Sequence, residues 1–258
     1  MIDLHLDHDA NLAEVVLNIP KAMNSLQEAD IAELSHAYSD AADAGVRALI
    51  LRGEGKGFCA GRNIKGIEPE NDDAYEYLER QLTPVLKQMS EFPAPTFAAV
   101  HGPCLGVGLG LAIATDVVYV AENAKIGSPF AKLGATLDSG GHALFVERLG
   151  AHRTMDLIIS GDLISGEEAV KLGLFSRALP EEELLEFTRR QAKTAAQGAT
   201  QAFMTSRELV SDIRDRRTGL WDSLHKENKL QAQLCASADY KEGFAAFNEK
   251  REPKFTGQ

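Results

Sequence analysis

The chain has 258 residues, 44% of them hydrophobic, which at roughly 150 residues per domain makes one or two domains with a sizeable core. Its net charge of -11 repels nucleic-acid phosphates and anionic membrane, so neither is expected as a partner. Three widely spaced cysteines, Cys59, Cys104 and Cys235, offer no zinc spacing and point to a reduced, cytoplasmic protein.

Residues 1–8 lack the basic-then-apolar order of a signal peptide. Ile2–Leu6 and Leu12–Ile19 cluster apolar side chains about a polar turn and predict a β-hairpin. Pro20 ends it, and Asn24 or Ser25 caps a helix to Ala44 with Ile31, Leu34 and Tyr38 on one face. Residues 48–52 make a buried strand, followed by a Gly-rich loop, Gly53 to Gly61. Residues 67–90 turn from acidic to amphipathic and predict a helix bearing Tyr75, Tyr77, Leu78, Leu82, Val85 and Met89, stopped by Pro93 and Pro95.

Thr96–Val100 is a second buried strand. A second Gly-rich stretch, 102–110, opens a helix to Ala114. The segment from Thr96 to Val120 is the most apolar in the chain. His101, Pro103, Asp116 and four glycines keep it from the roughly 18 unbroken residues of a membrane span. Short strands follow at 117–120 and 125–126. From about 139 onward the pattern is helical, with a capping box at Ser165–Glu168 and core candidates Leu185, Phe187, Phe203, Leu209, Leu220 and Trp221. The recurrence of strand, strand, helix over 2–45, 48–90 and 96–150 suggests a spiral of similar α/β layers with a helical back.

Neither Gly-rich loop is a nucleotide site. Gly106-Val-Gly108-Leu-Gly110 would need glycine at Leu111 for G-x-G-x-x-G, and Gly53–Gly57 lacks the Gly-Lys-Ser/Thr of a P-loop. Both loops feed a tight turn with free backbone N–H groups, and the helix after Gly106 adds its positive end. Two such amides, one per loop, can hold the oxygen of an enolate. Alone, either loop reads first as a strand-to-helix turn with helix-packing glycines.

Five segments, in order and across nearly the whole chain, resemble the enoyl-CoA hydratase/isomerase (crotonase) superfamily. They are Lys21-Ala-Met-Asn-Ser-Leu26, Gly57-Phe-Cys-Ala-Gly-Arg-Asn-Ile64 and His101-Gly-Pro-Cys-Leu-Gly-Val-Gly108, then Ile159–Leu174 and Lys250–Gly257. The resemblance implies a spiral of ββα units over 1–195 with a helical trimerisation region over 196–258. It also implies a homotrimer or dimer of trimers, and an acyl-CoA thioester as substrate. Coenzyme A is then part of the substrate, with no other cofactor and no metal. It assigns the oxyanion amides to Arg62 and Val107, flanked by Gly106 and Gly108. Lys21, Ala22, Ala60, Asn63 and Ile64 would line the coenzyme path, Phe130 and Leu133 the acyl surroundings, and Lys254 would reach a coenzyme phosphate of its own or a neighbouring subunit. Arg62-Asn63 departs from the family's commoner Ala-Asp, which a backbone donor tolerates.

Hydration in this family uses two glutamates. At their places stand Gly110 and Phe130, neither of which can move a proton. Asp138 remains, in Leu137-Asp-Ser-Gly-Gly141. The surrounding segment most resembles the ring 1,2-epoxyphenylacetyl-CoA isomerases, which implies an isomerase with Asp138 as acid/base. Read from the residues alone, Asp138 fits a helix N-cap better than a catalytic role, since capping aspartates far outnumber catalytic ones. Rival expectations are Asp138 as nucleophile of a dehalogenase or thioesterase, a hydratase-like activity, and a silent coenzyme-binding paralogue.

Overall fold

β1 (Ile2–Asp7) and β2 (Leu12–Leu17) form the expected hairpin, Ile2 opposite Leu17 and Asp7 opposite Leu12. The computed structural model describes residues 1–68 and 70–258 in full and residue 69 by its backbone alone. β3 (Ala48–Gly53), β4 (Thr96–Val100), β6 (Val117–Ala121) and β9 (Arg177–Leu179) continue the sheet in the order β1-β2-β3-β4-β6-β9. Every pairing after the first is parallel. Such a sheet is covered on both faces, which is why Ala48-Leu-Ile-Leu51 and Thr96–Val100 read as unbroken apolar runs.

A second, three-stranded sheet joins β5 (Pro103–Leu105), β7 (Lys125–Gly127) and β8 (Ile164–Ser165). Sequence reasoning expected only helix beyond 139, and β8 and β9 correct it. Both are two or three residues long, too short for a period-2 pattern to register.

α1 (Glu28–Asp43) buries Ile31, Leu34 and Tyr38 as expected, and Ala41 beside them, but its cap is Gln27, not Asn24 or Ser25. Gln27 and Asp30 form a reciprocal capping box, the Gln27 N–H donating to Asp30 Oδ2 at 2.9 Å. The single helix expected over 67–90 is instead a 3₁₀ turn (Pro69–Asn71), a π-helical turn (Glu76–Leu82) and α2 (Thr83–Ser90). Pro84 supplies the reason. It has no N–H for the Arg80 carbonyl, and the ladder widens ahead of it, with Thr83 N–H donating to Leu78 O.

Among the described residues, eight further α-helices follow α2. α3 (Val107–Ile113) and α6 (Gly166–Lys171) pack on the second sheet, and α4 (Gly141–Leu149) lies between α3 and α5 (Ala151–Ser160); α6 is capped by Ser165, whose Oγ accepts from Glu168 N–H at 3.0 Å. α7 (Glu181–Ala196) packs across β2, β3, β4 and β6, Phe187 meeting Tyr119 edge-on at 5.0 Å. α8 (Thr200–Arg216), α9 (Leu220–Leu234) and α10 (Ala238–Glu249) form the helical back. Arg207 of α8 ties it to the core by donating to Phe92 O at 2.5 Å.

Three of the core candidates prove wrong. Leu220 is 72%, Trp221 77% and Phe203 40% exposed, so within one chain they face outward. An amphipathic helix marks its apolar face in the sequence without saying whether core or another molecule covers it.

Candidate active site

The site is assembled where β2, β3 and β4 end, at the carboxyl edge of the parallel sheet. After β2, the 3₁₀ turn Pro20–Ala22 leads into Met23 and Asn24, both left-handed. Asn24 is fully buried and ties this turn to the next loop. Its Oδ1 accepts from Ile19 N–H at 2.8 Å, and its Nδ2 donates to Glu54 O at 2.9 Å and Gly57 O at 2.8 Å. Backbone bonds continue the seam: Ala60 N–H to Met23 O, Leu26 N–H to Gly61 O and Asn63 N–H to Leu26 O, each 2.9 Å. Lys21, Ala22, Ala60, Asn63 and Ile64 are thereby brought to one place, Lys21 and Ile64 exposed.

The two Gly-rich loops lie directly on one another. Cys59 bridges Cys104, exchanging its N–H to Pro103 O and its O to Leu105 N–H at 3.0 Å each. Both thiols are buried and pushed well above their ordinary pKa by desolvation, Cys59 to about 12, so they pack as small apolar groups. His101 is likewise structural, its Nε2 lying 2.9 Å from Gly55 O. Asp116 accepts from Thr96 N–H and Oγ1 at 2.9 and 3.0 Å and holds β4 in place.

Among the described residues, neither the Arg62 N–H nor the Val107 N–H donates a hydrogen bond. The two are close: Val107 N lies 3.8 Å from where a Cβ on Gly61 would stand. Val107 is the first residue of α3, so its amide points out of a helix N-terminus. Gly106 before it has φ 52° and ψ -116°, open to glycine alone, and a Cβ there would meet Phe130 Cζ at 2.9 Å. Phe130 therefore lies against the second loop, while Leu133 is 60% exposed.

One turn of α3 further on, Gly110 is covered by Ser139. A Cβ on Gly110 would overlap Ser139 Cβ and stand 2.9 Å from Ser139 O. This packing seats the 138–140 turn on α3 and presents Asp138. The Asp138 side chain does not cap α4, whose N-cap is Gly140 without a side-chain bond; only its main-chain carbonyl accepts, from Gly141 N–H at 2.9 Å. The carboxylate accepts from Ser139 Oγ at 2.8 Å. Burial raises its pKa above the usual aspartate range, against the opposing pull of the Ser139 hydroxyl and the Arg62 guanidinium.

Arg62 contributes more than an amide. Its guanidinium turns inward, makes a fork to Asp72 at 2.9 and 2.7 Å, and lies 4.1 Å over the Tyr77 ring. It does not extend to the coenzyme face as a free charge. Asp72, Tyr77 and Ser139 are the site residues that sequence reasoning misses. The first two sit in the 67–90 segment, whose acidic and aromatic residues read as an ordinary amphipathic helix.

Lys254 lies elsewhere within one chain. The tail is held by Arg47, which donates to Phe255 O at 3.0 Å from the amino end of β3. The Gly-rich loop leaves the other end of that strand, about 20 Å away at 3.3 Å per residue.

A spiral of ββα layers, with two Gly-rich loops laid together over one helix N-terminus, is the crotonase arrangement. The chain belongs to the enoyl-CoA hydratase/isomerase family, which it matches over residues 7–258. It is 33% identical over 251 residues to a Rhodobacter capsulatus protein named "Probable enoyl-CoA hydratase", covering 96% of this chain and 95% of that one. It is 31% identical over 265 residues to the 1,2-epoxyphenylacetyl-CoA isomerase of Escherichia coli, across 100% of both chains. A Mycobacterium abscessus structure named as an enoyl-CoA hydratase/isomerase superposes with a TM-score of 0.92 at 31% identity over 100% of each chain. Most of these relatives carry hydratase in their names.

Proposed function

We propose that the protein is an acyl-CoA isomerase that shifts a double bond, or rearranges a ring epoxide, with Asp138 carrying the proton. The observation that carries this reading is the contact of Ser139 on Gly110. At the first glutamate position there is neither a carboxylate nor room for one, and a half-buried carboxylate stands at the adjoining turn instead.

In the double-bond shift, the Asp138 carboxylate takes a proton from C2 of a 3-enoyl thioester. The electron pair moves into the thioester carbonyl, and the Arg62 and Val107 N–H groups hold the resulting enolate oxygen. The carboxylic acid returns the proton at C4, which leaves the conjugated 2-enoyl ester and restores the carboxylate. No water enters. Phe130 against the second loop keeps the surroundings apolar, which suits a carboxyl that must release and regain a proton near neutral pH.

Lys21, Ala22, Ala60, Asn63 and Ile64 take the coenzyme in this reading. Lys254, at the far edge of its own chain, serves a neighbouring subunit of a homotrimer or dimer of trimers. The cytoplasm is the compartment that fits a reduced metabolic enzyme. None of the helices among the described residues is long and apolar enough to cross a membrane.

The test is conversion of 3-enoyl-CoA esters to 2-enoyl-CoA by the wild type and by Asp138→Ala and Asp138→Asn. The variants are expected to lose on the order of 10²–10⁴ in kcat while binding the ester as before. Unchanged turnover in both variants, or hydration of 2-enoyl-CoA as the faster reaction, would overturn the reading.

A further inference from the structure

The two oxygens of an ionised aspartate are equivalent until their surroundings distinguish them, and at Asp138 the surroundings do. Ser139 Oγ donates to Oδ1 at 2.8 Å, while among the described residues no donor reaches Oδ2. The Arg62 guanidinium, the charged group that bears on this carboxylate, gives its fork to Asp72 instead. His142 of α4 pairs with Thr136, its Nε2 lying 3.3 Å from Thr136 Oγ1. Among the described residues the Ser139 hydroxyl is therefore the one side-chain donor on Asp138.

The serine stands where glycine would be easier. Its φ of 52° is left-handed, a conformation that is costly for a residue with a Cβ and open to glycine. Gly140 after it is left-handed too, at φ 85°. The Ser139 Cβ also fills the space beside Gly110. Strained residues of this kind persist where their surroundings hold them, and they cluster at functional sites. What serine supplies here and glycine cannot is a hydroxyl, and that hydroxyl is bonded to the proposed base.

We propose that Ser139 is a positioning residue: its hydroxyl holds Oδ1 of Asp138 and leaves Oδ2 as the oxygen that exchanges the proton with the acyl chain. The C2–H proton passes to Oδ2 as its electron pair enters the enolate. Oδ1 is then the carbonyl oxygen of the acid and still accepts from Ser139. The carboxyl group is thereby kept from flipping before Oδ2–H returns its proton at C4. This deepens the proposed isomerase and rests on that reading of Asp138.

The experiment makes Ser139→Ala, which keeps the Cβ and removes only the hydroxyl, in the wild type and in Asp138→Asn. Turnover of 3-enoyl-CoA to 2-enoyl-CoA, ester dissociation constants and the pH profile of kcat/KM are compared. Ser139→Ala is expected to lose about tenfold in kcat with ester affinity unchanged. Its acid limb should move to higher pH, because the hydroxyl favours the ionised carboxylate and its loss raises the Asp138 pKa. In Asp138→Asn the same substitution should change the residual turnover no further. Ser139→Gly, free of the left-handed strain, should show the same loss as Ser139→Ala. Full kcat in either serine variant, or an acid limb that stays put, overturns the inference. So does an equal loss in both backgrounds, which would make the serine only a seat for the turn. If Asp138→Asn is as active as the wild type, or the wild type converts no 3-enoyl ester, the isomerase reading itself fails, and this inference with it.

Discussion

At position 110 a side chain and the Ser139 main chain compete for one volume. Gly110→Ala is expected to push the 138–140 turn off α3, at a stability cost of about 1–3 kcal/mol for overpacking, and to lower kcat more than ester affinity. Denaturant unfolding beside steady-state kinetics reads both, and a variant with full activity would show that the contact does not seat Asp138. Arg62 sets a second expectation. Asp138 works as a base only when ionised, so kcat/KM falls as pH drops through its raised pKa. The guanidinium draws that pKa down, so Arg62→Met, which keeps the main-chain amide, should move the acid limb to higher pH. A limb that stays put or moves to lower pH would mean another group titrates. Asp138 itself is legible in the sequence, because a lone carboxylate in a Gly-rich turn stands out once Gly110 and Phe130 are seen to carry no acid. Tyr77 is not, since a tyrosine at helical spacing looks the same whether its hydroxyl meets water, core or ligand.

The first two turns of the cleft are laced by one asparagine. Asn24 closes one hydrogen bond within the segment after β2 and two to the loop after β3. Asn24→Ala strips partners from buried backbone groups at a cost on the order of 1–3 kcal/mol. It should also loosen coenzyme-A ester binding, because Ala22 and Ala60 lose their common anchor. Urea unfolding with ester titration checks this, and a variant as stable as wild type would count against the lacing. Both Gly-rich loops can be read from sequence because strand, tight turn and helix N-terminus each leave a local signature. The π-helical turn leaves none beyond Pro84, and β8 and β9 are placed by pairing with strands far along the chain.

For the molecule as a whole, the sequence shows the α/β front and helical back but not which surfaces stay uncovered. α8, α9 and α10 carry Val210, Ile213, Leu220, Trp221, Leu224, Phe244 and Phe247, all exposed in one chain. A patch of this kind is expected to be covered by another copy. Trp221→Glu should then leave a folded 28.0 kDa chain that sediments at lower mass than the wild-type assembly, and an unchanged mass would place the interface elsewhere. The Ser139–Gly110 contact reaches beyond any single molecule. On the proposed reading, a lineage moving between water addition and proton shuttling at this site is impeded at residue 110. A glutamate arriving first lands in occupied space and unseats the aspartate, so the 138–140 turn must be remodelled before the exchange is tolerated. The two chemistries are separated by an ordered path, and the order is set by packing.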